Sequence, residues 1–176
     1  MRSLIFGCLL FALIGLGPIS CRSKLPPASS PSATLNDTLP AIDVREVGGK
    51  RTRLRPHPNK PMLLALWATW CEPCHEEIPA LVRWAKQQDK VALTTLAVES
   101  KDVKDAEIQE FLDAAFVEGK AYRTATIDVA PLGMRALPTL YLIDAAGVIR
   151  ATHEGFTGVE ALMEWLETEL EGLDGA

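Results

Sequence analysis

Trp67-Ala68-Thr69-Trp70-Cys71-Glu72-Pro73-Cys74 joins two stretches of different periodicity, and its reading decides the fold. Upstream, Pro61-Met62-Leu63-Leu64-Ala65-Leu66-Trp67 is a continuous apolar run, as expected of a strand buried on both faces. Downstream, a helix is predicted from near Pro73 to about Gln88. A strand that ends in a short loop and opens a helix sets Cys71 at the helix N-terminus, where unpaired N–H groups and the helix dipole stabilise a thiolate. Pro73 suits the first helical turn, since its missing N–H would have had no intrahelical partner. Cys74 falls inside that turn, shielded yet close enough to attack a mixed disulfide on Cys71. The spacing therefore predicts unequal roles: Cys71 as exposed attacking nucleophile, Cys74 as resolving thiol.

The other cysteines sharpen this reading. Cys8 lies in an apolar run from Leu4 to Ile19, and Cys21 follows Gly17-Pro18-Ile19-Ser20. The body holds only Cys71 and Cys74, a pair that closes too small a loop to stabilise much through chain entropy and lacks the spread of a structural disulfide framework. The first 21 residues read as an export segment. Arg2 precedes the apolar run, charge is absent until Arg22, and the length borders both a signal-peptide core and a short anchor. The ending at Cys21 resembles a bacterial lipoprotein signal, although Pro18 stands where that signal prefers Leu. Lipidation of Cys21, an uncleaved anchor and release after cleavage are the three outcomes. Residues 22–40, rich in Ser, Pro and Ala, read as a tether with too few large apolar groups to offset ordering entropy, reaching on the order of 25 Å.

Residues 41–176 form the predicted domain. With 48% hydrophobic and 23% charged residues the chain is globular in composition, and its net charge of -5 speaks against nucleic acid as a partner. Ala41–Val47 and Lys50–Leu54 around Gly48-Gly49 read as a hairpin. Arg51, Arg53 and Arg55 then share a face, read as solvated in preference to a lipid-phosphate patch. Val91–Val98 reads as a second buried strand. Ile108, Phe111, Leu112, Ala115 and Phe116 mark a helix over residues 105–118. A short strand is predicted at 124–128, a hairpin from 139–143 and 148–153, and a last helix over 158–170 with Val159, Leu162, Met163, Leu166 and Leu170 on one stripe. The order is that of an α/β fold, a central mixed sheet flanked by helices with an N-terminal hairpin.

Trp70-Cys71-Glu72-Pro73-Cys74 resembles the active site of the thioredoxin superfamily, and Trp67-Ala68-Thr69-Trp70-Cys71 resembles its TlpA/ResA-like branch, over roughly residues 41–170. The resemblance implies a thioredoxin-like fold and a membrane-anchored, extracytoplasmic thiol–disulfide oxidoreductase with a redox-active Cys71–Cys74 disulfide and no cofactor. Several members keep apocytochrome c cysteines reduced for haem attachment. It makes Pro138 a cis-proline facing the disulfide, places Leu137 in the substrate groove with Trp70, Glu72 and Pro73, and gives Pro79 the helix-kinking position. Glu77 matches an acid that follows the motif in this branch. On a 100° helical wheel it sits about 60° from Cys74, beside the stripe of Ile78, Leu81 and Ala85, while Glu76 faces solvent. Desolvation there raises a carboxyl pKa and equips Glu77 to pass protons to Cys74. Glu72 opposes a thiolate on Cys71, which tilts the expected direction toward reduction.

Other readings compete. Cys71-Glu72-Pro73-Cys74-His75 is formally a c-type haem attachment motif, but its strand-to-helix setting is not that of a small helical cytochrome. For a metal-delivery role, only His57, His75 and His153 are available as further histidine ligands. A peroxidase reading is weaker, because no additional resolving cysteine or suitable proline-threonine-cysteine pattern precedes Cys71. A non-catalytic binding or chaperone module could use the same groove. Trp67 and Trp84 read as packing residues. The expected partners are exported protein thiols or disulfides and a membrane electron donor that resupplies reducing equivalents; a monomer is expected.

Overall fold

The computed structural model describes residues 35–118 and 121–174. The apolar leader, Cys8, Cys21 and most of the proposed tether lie outside these residues. Among the described residues no helix is long and apolar enough to cross a membrane.

Seven strands form one mixed sheet in the order β2-β1-β5-β4-β3-β6-β7. They are β1 (Asp43–Glu46), β2 (Arg51–Arg53), β3 (Met62–Trp67), β4 (Ala92–Val98), β5 (Tyr122–Thr124), β6 (Thr139–Ile143) and β7 (Ile149–Glu154). Strands β3, β4 and β5 run parallel, while β1, β6 and β7 pair antiparallel with their neighbours. The helices are α1 (Cys74–Gln87), α2 (Asp105–Ala114) and α3 (Val159–Asp174).

Strand β3 lies centrally between β4 and β6, and all six of its residues are buried. Its alternation divides the core. Leu63, Ala65 and Trp67 join a cluster with Ile78 and Leu81 of α1, Ile108, Phe111 and Leu112 of α2, and Leu162 and Leu166 of α3. Met62, Leu64 and Leu66 face the other way, toward Leu39, Ile42, Leu54, Val129 and Leu132. All three α-helices thus pack on one face; a 3-10 helix (Thr126–Leu132) and the N-terminal chain cover the other.

Four expectations change. The body begins before Ala41: Asn36 N–H donates to Ile149 O, Ile149 N–H to Asp37 O and Leu39 N–H to Gly147 O, at 2.8 to 2.9 Å. Backbone bonds along the open edge of β7 need no apolar side chains, so a composition typical of a tether conceals them. Second, the strand expected at 124–128 is β5 two residues earlier, and Thr126 onward coils into the 3-10 helix. Third, α2 stops at Ala114, with Ala115 as its C-cap, and Phe116 takes a φ of 57°. Val117 N–H bonds Leu112 O and Phe116 N–H bonds Asp113 O, the paired bonds of a Schellman ending. Phe116, expected on the buried stripe, is therefore turned outward and 68% exposed. Fourth, α3 runs to Asp174, one turn past the expected end.

Candidate active site

The loop after β3 is wound into a turn before α1 begins. Cys71 N–H bonds Ala68 O at 3.1 Å, Cys74 N–H bonds Cys71 O at 3.0 Å and His75 N–H bonds Glu72 O at 3.1 Å. Pro73 serves as the α1 N-cap residue. This winding brings Cys71 and Cys74 together as a disulfide, with S–S 2.02 Å and Cα–Cα 5.3 Å. Cys74 is 0% exposed and Cys71 4%. Cys71 was expected to be exposed; bonded to Cys74 and folded back onto Ala68, it presents only a sliver. The exposed member of the motif is Trp70, at 70%, with Glu72 beside it in solvent. Of the two, Cys71 is the more accessible.

One turn into α1, Glu77 is 0% exposed, on the same side as Cys74 and Ile78. Neither carboxylate oxygen has a hydrogen-bond partner among the described residues. Desolvation, with no cation to offset it, pushes the Glu77 carboxyl up to about 7. Glu76 is exposed, as its angular position requires. Pro79 lies inside α1.

The second loop of the site enters β6. Leu66 pairs with Thr139, so Pro138 stands level with Trp67, where the redox loop leaves β3. The Leu137–Pro138 bond is cis, Pro138 is buried, and Leu137 is half-buried at the junction of the two core clusters. Pro138 O accepts Gly155 N–H at 2.8 Å. Ahead of it, Glu154 receives the Arg135 and Ala136 N–H groups and the Arg135 guanidinium. Partial burial works against that carboxylate, but these donors hold its pKa below the usual value.

Trp67 is buried with its ring stacked on Phe111 at 4.0 Å between centroids, and Phe111 and His75 meet in a T-shaped arrangement at 4.9 Å. His75 Nε2 lies 3.0 Å from Thr69 O. The Thr69 N–H donates to Glu99 Oε1. Glu99 and Glu154, each holding a loop of this site, were not singled out from the sequence. Glu99 could have been: it is the charged residue directly after a buried parallel strand, and sites in such sheets gather at strand carboxyl ends. Glu154 had no comparable signal.

Arg51, Arg53 and Arg55 are exposed and border a cleft of about 1020 Å³, where Arg45 and Arg123 are tied to Asp105. Among the described residues no three or more His, Cys, Asp or Glu side chains gather as a metal site.

Residues 35–152 match the model of the AhpC/TSA family. The chain is 32% identical over 130 residues to the thiol:disulfide interchange protein DsbE of Pseudomonas aeruginosa, covering 72% of this chain and 69% of that one. It is 27% identical over 135 residues to the thiol-disulfide oxidoreductase ResA of Bacillus thuringiensis, covering 73% and 74%. In fold it resembles the crystal structure described as a putative thiol:disulfide interchange protein DsbE from Chlorobium tepidum, with a TM-score of 0.67, 22% identity, and coverage of 79% and 99%. With a dithiol–disulfide pair at the mouth of α1 and relatives of this kind, the chain belongs to the AhpC/TSA family and is a thiol–disulfide oxidoreductase of the DsbE and ResA type.

Proposed function

We propose that the protein is a membrane-tethered, extracytoplasmic reductase of exported protein disulfides, with apocytochrome c as the favoured substrate. The observation that carries the reductive chemistry is Glu77, a wholly buried acid one turn after Cys74 whose oxygens have no hydrogen-bond partner among the described residues. In the reduced protein, the Cys71 thiolate attacks one sulfur of a substrate disulfide. A mixed disulfide forms and the other substrate sulfur leaves as a thiolate, taking a proton from solvent. Cys74 then gives its proton to Glu77 and attacks Cys71 Sγ, forming Cys71–Cys74 and expelling the second substrate thiolate. Two electrons pass from protein to substrate, and a membrane electron donor must return them. Glu72 places negative charge beside Cys71 and favours a reducing couple. Trp70, Leu137 and the cis-Pro138 backbone supply the surface on which the substrate rests. Lipid on Cys21, or an uncleaved leader, supplies the tether.

Trapping with Cys74→Ser in the full-length chain tests this reading. The mixed disulfide on Cys71 cannot resolve, so exported proteins with paired cysteines, apocytochrome c among them, are expected as covalent adducts in the membrane fraction. A nonspecific spread of adducts would remove the dedicated substrate. Retention of partner binding by Cys71→Ser with no loss of cellular function would favour a binding module instead.

A further inference from the structure

Glu99 follows the last residue of β4 and is 1% exposed. A carboxylate is costly to bury unless it is well hydrogen-bonded. The sheet does not require this one, because Glu99 N–H already bonds Thr124 O and extends the β4–β5 ladder. Its side chain turns instead to the redox loop, where Oε1 accepts the Thr69 N–H. Oε2 has no partner among the described residues.

Thr69 is held from the other side as well. Its carbonyl oxygen can only accept, so the 3.0 Å contact fixes His75 Nε2 as the protonated nitrogen. The single residue two positions before Cys71 is thus gripped at its N–H by β4 and at its C=O by α1. Next to it, the Ala68 carbonyl receives the Cys71 N–H. The loop that presents the nucleophile has an anchor on each side.

Thiol–disulfide exchange proceeds in line along the S–S bond, so a small rotation of the nucleophile's backbone misdirects the attack. We propose that Glu99 is a positioning residue for the exchange reaction: acting opposite His75, its carboxylate fixes Thr69 so that the Cys71 sulfur is presented in one orientation to Cys74 and to the substrate sulfur. It touches neither cysteine and acts through the Thr69 peptide.

The test uses the full chain in its reduced form, with hydroxyethyl disulfide as a small probe that makes no use of the groove. Glu99→Ala is expected to slow reduction about tenfold. Glu99→Gln keeps an oxygen for the Thr69 N–H and should stay within about threefold of the parent. His75→Ala should be slow as well. The double variant should be no worse than about twofold below the slower single, because both residues hold one peptide. Glu99→Ala within about twofold of the parent, Glu99→Gln as slow as Glu99→Ala, or fully multiplicative singles would each overturn the proposal. Where Glu99→Ala fails to fold, the Thr69 amide proton decides: it should resonate at low field and move upfield in Glu99→Gln as the charge-assisted bond weakens. An unmoved Thr69 resonance would equally overturn the proposal.

Discussion

Helices α1 and α2 pack on the same face of the sheet, each after a parallel strand, yet their first turns treat an acid in opposite ways. Asp105 at the start of α2 receives the Arg45 guanidinium on both oxygens, Arg123 Nη1 and Gly48 N–H. The Arg45 hydrogen bond, assisted by Arg123 and Gly48, holds its carboxyl well below the usual range. Glu107 also accepts the Lys104 N–H and finishes that helix end. Helix α1 opens on Pro73 with no side-chain cap bond, and Glu77 is wholly buried with neither oxygen bonded among the described residues. Saturated, an acid braces the fold. Starved of partners in a first turn, the Glu77 carboxyl rises to about 7, the range that the proposed proton acceptor of Cys74 requires. Helix α2 is finished for stability, and α1 is left unfinished at the point where chemistry occurs.

The largest effects should come from erasing the contrast at Glu77. Glu77→Gln removes the proton acceptor while keeping shape, and should slow exchange by about tenfold to a hundredfold near neutral pH. Its signature on stability runs against that of an ordinary carboxylate. The folded-state pKa of about 7 lies above the reference of 4.5, so the folded chain binds the proton more tightly. The pH-dependent cost of Glu77 is therefore absent below the unfolded-state pKa, and stability falls as pH rises from there through about 7, by about 3 kcal/mol in total. Denaturation of the oxidised protein across this range should show that fall in the parent and a flatter profile in Glu77→Gln. Exchange rates matching the parent from about pH 6 to 9 would sink the assignment of Glu77 as proton acceptor.

Asp105 should answer with the opposite signature. Asp105→Ala leaves the largely buried Arg123 short of an acceptor, and unties β1 from α2 at Arg45 and Gly48. Arg45 is more than a third exposed, which discounts its share, so a loss of about 2 kcal/mol is expected at pH 7 with exchange rates unchanged. Because the folded carboxyl is depressed, its contribution is present above the unfolded pKa near 3.8 and is lost as pH falls toward the folded value. Urea titrations of parent and variant should converge on acidification. A variant as stable as its parent at pH 7 would mean the network contributes nothing.

Much of this contrast was legible in the residues, but unevenly. The β3–α1 joint could be read because a seven-residue apolar run and a helical stripe flank two cysteines at a diagnostic spacing. The side Glu77 occupies follows from angular spacing alone. Asp105 was only a helix start, since its partners Arg45 and Arg123 come from strands 60 and 18 residues away in the chain. Glu99 and Thr69, 30 residues apart, escaped for the same reason: an acid's partner depends on which strands become neighbours. Local periodicity carried the helices until local geometry overruled it, and the end of α2 is where that happened.

The spacing through Ala115 and Phe116 continues the apolar stripe of α2, but the chain turns left-handed at Phe116. The position is the one a Schellman ending normally gives to glycine, because a side chain there crowds the backbone. Phe116 bears that strain with its ring mostly in solvent, so little packing compensates. Phe116→Gly removes the left-handed penalty and adds back part of it as unfolded-state entropy, a net gain of about 0.5–1 kcal/mol. It lies in neither the redox loop nor the cis-proline loop, so exchange rates should match the parent while thermal or urea midpoints rise. A lower midpoint would show that the exposed ring holds something the helix end needs. A raised midpoint at unchanged rate would show that α2 can be stabilised without disturbing the unfinished start of α1, where the same gain in order would be expected to slow the enzyme.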